Sequence, residues 1–162
     1  MANDMMAWLL AIPVLGAMTG LRTMTPMAVL CWFAYAHHLP IQHSWGFWAA
    51  KLVTAIIFTF LAAGELIGDK LPKTPSRISA FPLAARVLFG SLVGALAATG
   101  LHGQIAEGVI LGGISAVAGA FLGYHLRHWL VEEQGLRDLP VALAEDACAI
   151  GLSVLAMGII TG

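Results

Sequence analysis

Charge is what this chain has least of. Only 10% of its 162 residues are Asp, Glu, Lys or Arg, against about 25% in a soluble globular domain. That shortfall excludes an ordinary soluble domain and a disordered segment. Eight basic and nine acidic side chains leave a formal charge of −1, so there is no basic footprint for DNA or RNA. Cysteine is scarce as well. Cys31 and Cys148 lie far apart inside apolar runs, which excludes a disulfide framework or a cysteine metal knot and reads as two buried free thiols. The opening Met1-Ala-Asn-Asp4 has no basic residue, and no Ala-x-Ala cleavage site follows. The first apolar run is therefore expected to stay as a membrane helix rather than be removed as a signal peptide.

Enzyme signatures are missing too. There is no phosphate-binding loop, dinucleotide fingerprint or serine nucleophile elbow. Lys70 and Arg77 have the Lys-x6-Arg spacing that begins a lipid phosphatase signature, but Ile78 stands where its proline belongs and no Pro-Ser-Gly-His element follows. The aspartate-rich signature of CDP-alcohol phosphotransferases is also lacking. A non-enzymatic role without a cofactor is the expectation.

What the chain has in abundance is apolar side chains: 59% of the residues, with a mean hydropathy of +0.86. Cut at proline, glycine and charge, they form six runs: 5–20, 25–39, 46–67, 82–101, 105–129 and 140–161. None alternates at period two, as a membrane β-barrel would, and helices satisfy their backbone in lipid without partners. The expected fold is an all-α transmembrane bundle of about six spans in a single domain, 1–162. The second run rises only about 22 Å, short of the roughly 30 Å hydrocarbon core, so it reads as a thin span or a re-entrant helix.

The basic residues sit in alternate connections. Arg22, the segment Lys70–Arg77 and the segment Arg127–Arg137 fall on one side of a six-span arrangement, while 37–44 and 102–104 hold no Lys or Arg. The positive-inside rule makes the first side cytoplasmic. Two self-matches suggest two inverted three-helix repeats, 1–80 and 81–162. Thr19–Leu30 resembles Thr99–Ile110, and Ala50–Ile56 resembles Ala144–Ile150. Inverted repeats are a feature of transporters, and chance recurrence of Ala, Gly, Leu and Val is the alternative. Small residues four apart recur at 16/20, 64/68, 90/94, 108/112, 119/123 and 158/162. Such pairs let helix backbones approach closely, mainly within the subunit and in part across a homodimer. Trp32, Trp45, Trp48 and Trp129 lie near the run ends, as interfacial anchors do.

Few charges fall inside or beside the apolar runs, and each is costly there, at about 2.5–3.5 kcal/mol near the bilayer centre on insertion scales. Six of them call for this cost argument: Lys51, Glu65, Asp69, Arg86, Glu145 and Asp146. Glu65 and Asp69 share a helix face, and Glu145 and Asp146 sit one to two turns into the last run, at the same side of the membrane. Lys70, Lys73, Arg77, Arg86 and Arg22 stand around them. Either these charges pair and fix helix register, or the acids bind a cation or proton and the basic groups hold an anion. Lys51 lies towards the opposite side and can snorkel outward. His125, His128 and Glu132 have a spacing that can make a metal face, although interfacial histidines are far commoner. His37, His38 and His43 cluster in an outer loop.

The segments Gly64–Arg77 and Pro140–Gly151, with Gly20–Pro26 and Arg86–Gly94, resemble those of a bacterial membrane family known only as domain of unknown function 4126. The resemblance spans nearly the whole chain and implies a bacterial inner-membrane protein with no assigned activity. Its shared motifs contain Arg22, Glu65, Asp69, Lys70, Arg77, Arg86, Glu145 and Asp146, which are the expected site residues. The leading functional expectation is a small transporter or channel for an ion or small solute, acting as a homodimer. The alternatives are a lipid-phosphate-handling protein (scramblase or enzyme) and a non-catalytic assembly subunit.

Overall fold

The computed structural model describes residues 7–68 and 79–162, which contain six α-helices and no strand. These are α1 (Ile12–Leu21), α2 (Thr25–Tyr35), α3 (Leu52–Gly68), α4 (Ala80–Gly100), α5 (Ile105–His128) and α6 (Asp138–Thr161). A π-helical turn, Ala7–Ala11, leads into α1. A 3-10 turn, Phe47–Ala50, precedes α3. A second π-helical turn, Trp129–Glu133, extends α5. The segments α4, α5 with its extension, and α6 are each long and apolar enough to cross a membrane, whereas α1, α2 and α3 are shorter apolar helices.

The helix starts follow the prolines with one adjustment. Pro13 and Pro26 occupy the first turns of α1 and α2. Pro82 and Pro140, expected to open their helices, stand instead at the third position of α4 and α6. The physical reason is that none of the first few N–H groups of a helix has an intrahelical acceptor, so proline is tolerated anywhere in that turn.

Consecutive helices alternate in direction. At the upper end, the side chain of Leu39 packs on Gly100, the Trp8 indole packs on Gly103, and Trp45 Nε1 donates to Thr99 Oγ1 at 2.9 Å. The α1–α2 turn, Arg22-Thr23-Met24, lies at the other end of its hairpin, level with Ala116–Ala120 of α5. It does not reach the lower end of the bundle. At 1.5 Å per residue, α5 continues about 12 Å past Ala120 to His128, and α6 begins about 12 Å below Asp146. The hairpin tip is inset among longer helices.

Glycine decides how the centre packs. Gly90 and Gly94 of α4 lie against Gly112 and Gly108 of α5, so close that a Cβ on any of the four would overlap the facing backbone. Gly16 and Gly20 of α1 meet Gly112 and Ala116–Ala120 in the same way, and Gly119 meets Ala17. In an apolar solvent no hydrophobic force drives helices together, and backbone approach of this kind supplies dispersion contacts in its place. Other glycines behave differently. At Gly64 and Gly158 a Cβ would meet no neighbouring group within 4 Å among the described residues. Helices α2 and α6 complete the bundle around α1, and α3 packs chiefly on α2.

This packing predicts a contrast. Gly94→Val should overpack the α4–α5 contact and cost at least about 1–3 kcal/mol, read as a lowered thermal midpoint in detergent. Gly151→Val, at an open position of α6, should leave the midpoint unchanged.

Candidate functional site

The hairpin tip gathers charges from three other helices. Its backbone breaks at Arg22, which is extended (φ −139, ψ 106). The last carbonyls of α1 and the first amides of α2 are therefore left without helical partners, as at any helix end. Arg86 of α4 supplies the first need: its Nη1 donates to the carbonyl of Gly20 and, at 2.9 Å, to that of Leu21. Glu65 of α3 supplies the second. Its two carboxylate oxygens accept the backbone N–H groups of Thr23 at 2.7 Å and Met24 at 2.8 Å. A cation at a helix C-terminus and an anion at an N-terminus each match the sign of the helix dipole.

Arg22 itself points the other way, to α6. Its Nε donates to Asp146 Oδ1 at 2.7 Å, and its Nη2 lies 2.6 Å from the same oxygen and 3.9 Å from Glu145 Oε2. Glu145 Oε2 is also 3.5 Å from Arg127 Nη1 on α5. Arg127 in turn holds Asp138, the first residue of α6, through two 2.8 Å bonds from Nε and Nη2. The result is a ladder of alternating sign: Asp146, Arg22, Glu145, Arg127, Asp138. Side-chain exposure rises along it, from 0% at Arg22 through 11% at Glu145 and 19% at Arg127 to 56% at Asp138. The ladder thus leads from the lower surface to a guanidinium with no exposure.

Beyond the ladder the buried face of α6 continues to Ser153, seven residues and about 10 Å above Asp146. Ser153 Oγ and Thr25 Oγ1, the latter just past the hairpin turn, are buried with no hydrogen-bond partner among the described residues. Buried hydroxyls are ordinarily satisfied, and an orphan calls for a physical reason.

Several expectations can now be placed. Glu65, Arg86, Glu145, Asp146 and Arg22 all border the hairpin turn or the ladder built on it. Asp69, Lys70, Lys73 and Arg77 lie outside the described residues. Arg22 is not a surface connection: it is fully buried, because the hairpin is inset and the guanidinium is consumed by α6. The orientation argument therefore loses Arg22 as a flanking charge. Lys51 stands exposed at the upper end, with its ammonium 5.0 Å from the Phe47 ring centre. His128 Nδ1 lies 3.2 Å from Glu132 Oε1, and the described residues include no group of three His, Cys, Asp or Glu able to hold a metal. Cys31 is buried, whereas Cys148 is exposed, on the side of α6 that lines a cleft. Two roles were not visible in the sequence. Arg127 and Asp138 read as loop charges, and Glu65 as one of an acidic pair rather than a helix cap.

The pairing sets a stability order. Asp146→Ala leaves Arg22 buried without its main partner and should cost about 3–5 kcal/mol, while Glu65→Ala should cost about 1–3 kcal/mol by stripping two amides of their acceptor. The double variant Arg22→Met, Asp146→Leu should be more stable than Asp146→Ala alone. Denaturation in detergent checks all three.

No curated protein matches this chain, and no solved structure matches it. Residues 9–159 do match a family model, described as Domain of unknown function (DUF4126). That match covers nearly the whole chain, including every charge of the ladder and the hairpin turn, and the protein belongs to this family.

Proposed function

We propose that the protein is a small transporter or channel of the bacterial inner membrane, moving an ion or small solute through a site at the inset hairpin tip. The observation that carries this reading is the ladder from exposed Asp138 to buried Arg22. Charges that merely fix helix register need a partner each. Here Glu145 is held between two guanidiniums, at 3.9 and 3.5 Å, and the polar series goes on to orphan hydroxyls at Thr25 and Ser153. A helical hairpin whose turn lies inside a bundle, with charged groups on its free ends, is non-helical backbone of the kind tolerated at membrane depth only where protein buries it or it lines a water-filled cavity.

The mechanism uses the carboxylates of α6 as a proton-sensitive latch. With both ionised, Arg22 ties the α1–α2 hairpin to α6. A proton on Glu145 or Asp146 removes one attraction for Arg22 and weakens that tie. The glycine contacts of α1 with α5 are independent of charge, so the relief falls on the α2–α6 side of the hairpin. The lower end, with Arg127 and Arg137, faces the cytoplasm under the positive-inside rule. Multiple membrane crossings, inverted halves and a homodimer belong to the same proposal. Gly64 on α3 and Gly158 on α6 support the dimer, since each leaves a small-residue position uncovered among the described residues of one subunit.

Reconstituted protein tests it. Proton movement into liposomes carrying an entrapped pH-sensitive dye, driven by an imposed potassium diffusion potential, should exceed that of empty liposomes. Glu145→Gln should return it to the empty-liposome rate, and Ser153→Ala should reduce it. Unchanged movement in Glu145→Gln would remove that residue from the mechanism.

A further inference from the structure

Helices α5 and α6 follow one another in the chain, yet they hardly touch, since both pack on α1 instead. The wedge between them is a cleft of about 620 Å³. Its floor is Met18 and Leu21 of α1, and its walls are Leu122 and Leu126 of α5 and Ala144 of α6. The cleft runs from the level of Gly119 to that of Leu130, about 16 Å along α5. Leu122 and Leu126 are exposed along it at 69% and 48%. Such a volume and apolar lining suit a single hydrophobic ligand.

Of the charges in the lining, Arg127 and Arg137 belong to its lower part, while Glu145 stands higher, beside Asp146 and the hairpin turn. Glu145 and Arg127 serve the ladder already described. Arg137 is different. It is exposed at the lip, immediately before α6, and no ion pair ties it down among the described residues. Nearby Glu132 is turned to His128. An apolar trench that opens sideways from transmembrane helices and ends at a cation has the polarity of one phospholipid chain beneath its head group. Arg is the side chain best suited to a phosphate there.

We infer that the cleft between α5 and α6 is a binding site for an anionic phospholipid, with one acyl chain lying along Leu122 and Leu126 and the head-group phosphate on Arg137. The cleft adjoins the hairpin tip, with Leu21, Glu145 and Arg127 common to both, but a lipid on Arg137 does not depend on transport. A cation beside anionic lipid contributes enough to favour phosphatidylglycerol over phosphatidylcholine about fivefold.

Native mass spectrometry of the purified full-length chain, titrated with each lipid in a non-ionic detergent, reads this directly. The wild type should retain one phosphatidylglycerol in preference to phosphatidylcholine. Arg137→Gln should remove the preference while one lipid of either kind still binds. Ala144→Trp, which fills the cleft from an exposed position, should abolish retention of both, and Leu122→Trp on the opposite wall should do the same. Equal retention of the two lipids by the wild type would overturn the inference. So would binding that survives both tryptophan variants, which places the lipid elsewhere. Conversion of a dimer to a monomer by both tryptophan variants would also overturn it, since the cleft would then be covered by a second copy of the chain. A protein that moves no protons but keeps this lipid preference would sink the transport reading and leave the lipid site intact.

Discussion

A fully buried guanidinium sets the terms of this structure. Taking an ion the size of Arg22 out of water costs several kcal/mol even after the protein relaxes, and its carbon neighbours return none of that. The cost has to be met by anions fixed at hydrogen-bond range. Helix α6 supplies them on the side to which Arg22 points, with Asp146 in direct contact and Glu145 behind it. The α1–α2 hairpin is therefore bound to the last helix by charge. The same turn takes Glu65 from α3 and Arg86 from α4. A three-residue break in the backbone is thus the point to which three of the four remaining helices each send an ionised side chain.

Two kinds of cohesion share the bundle. Helices α1, α4 and α5 are fused by glycine, with backbones so close that no side chain fits between them. That contact depends on shape alone and does not respond to protons, salt or ligands. The connections from the hairpin to α3 and α6 run instead through carboxylates, whose hold depends on charge. A bundle assembled this way has a rigid slab and an electrostatically held margin. Any functional motion belongs to the margin, because the slab would have to lose dispersion contacts with nothing to replace them.

The sequence carried much of this. Six apolar runs mark the six helices, and the expense of charge in hydrocarbon picks out Glu65, Arg86, Glu145 and Asp146 without any knowledge of contacts. It could not place Arg22. A single arginine between two apolar runs looks like a loop residue, and only the inset of the hairpin makes it a core residue. Nor could it assign Glu65 its role, since the amides it caps lie 41 and 42 residues away. Glycines four apart are equally ambiguous in one dimension. Gly90 and Gly158 each begin a pair of the same spacing, and only the first is covered by a neighbouring backbone. The cleft was illegible for a related reason. It exists because α5 and α6 each pack on α1, and because the linker between them turns at Gly135, whose φ of +67 favours glycine.

Glu145 connects these observations. It lines the cleft, and it stands between Arg22 on the buried side and Arg127 on the exposed side. A carboxylate shared by two cations at 3.9 and 3.5 Å is closer to the second, and neither distance is that of a direct hydrogen bond. Each of these two cations holds a second carboxylate as well. Arg22 has Asp146 at 2.6 Å, and Arg127 has Asp138 in a two-point grip. The lower surface and the buried hairpin turn are therefore joined by a continuous series of charged side chains with Glu145 at its middle.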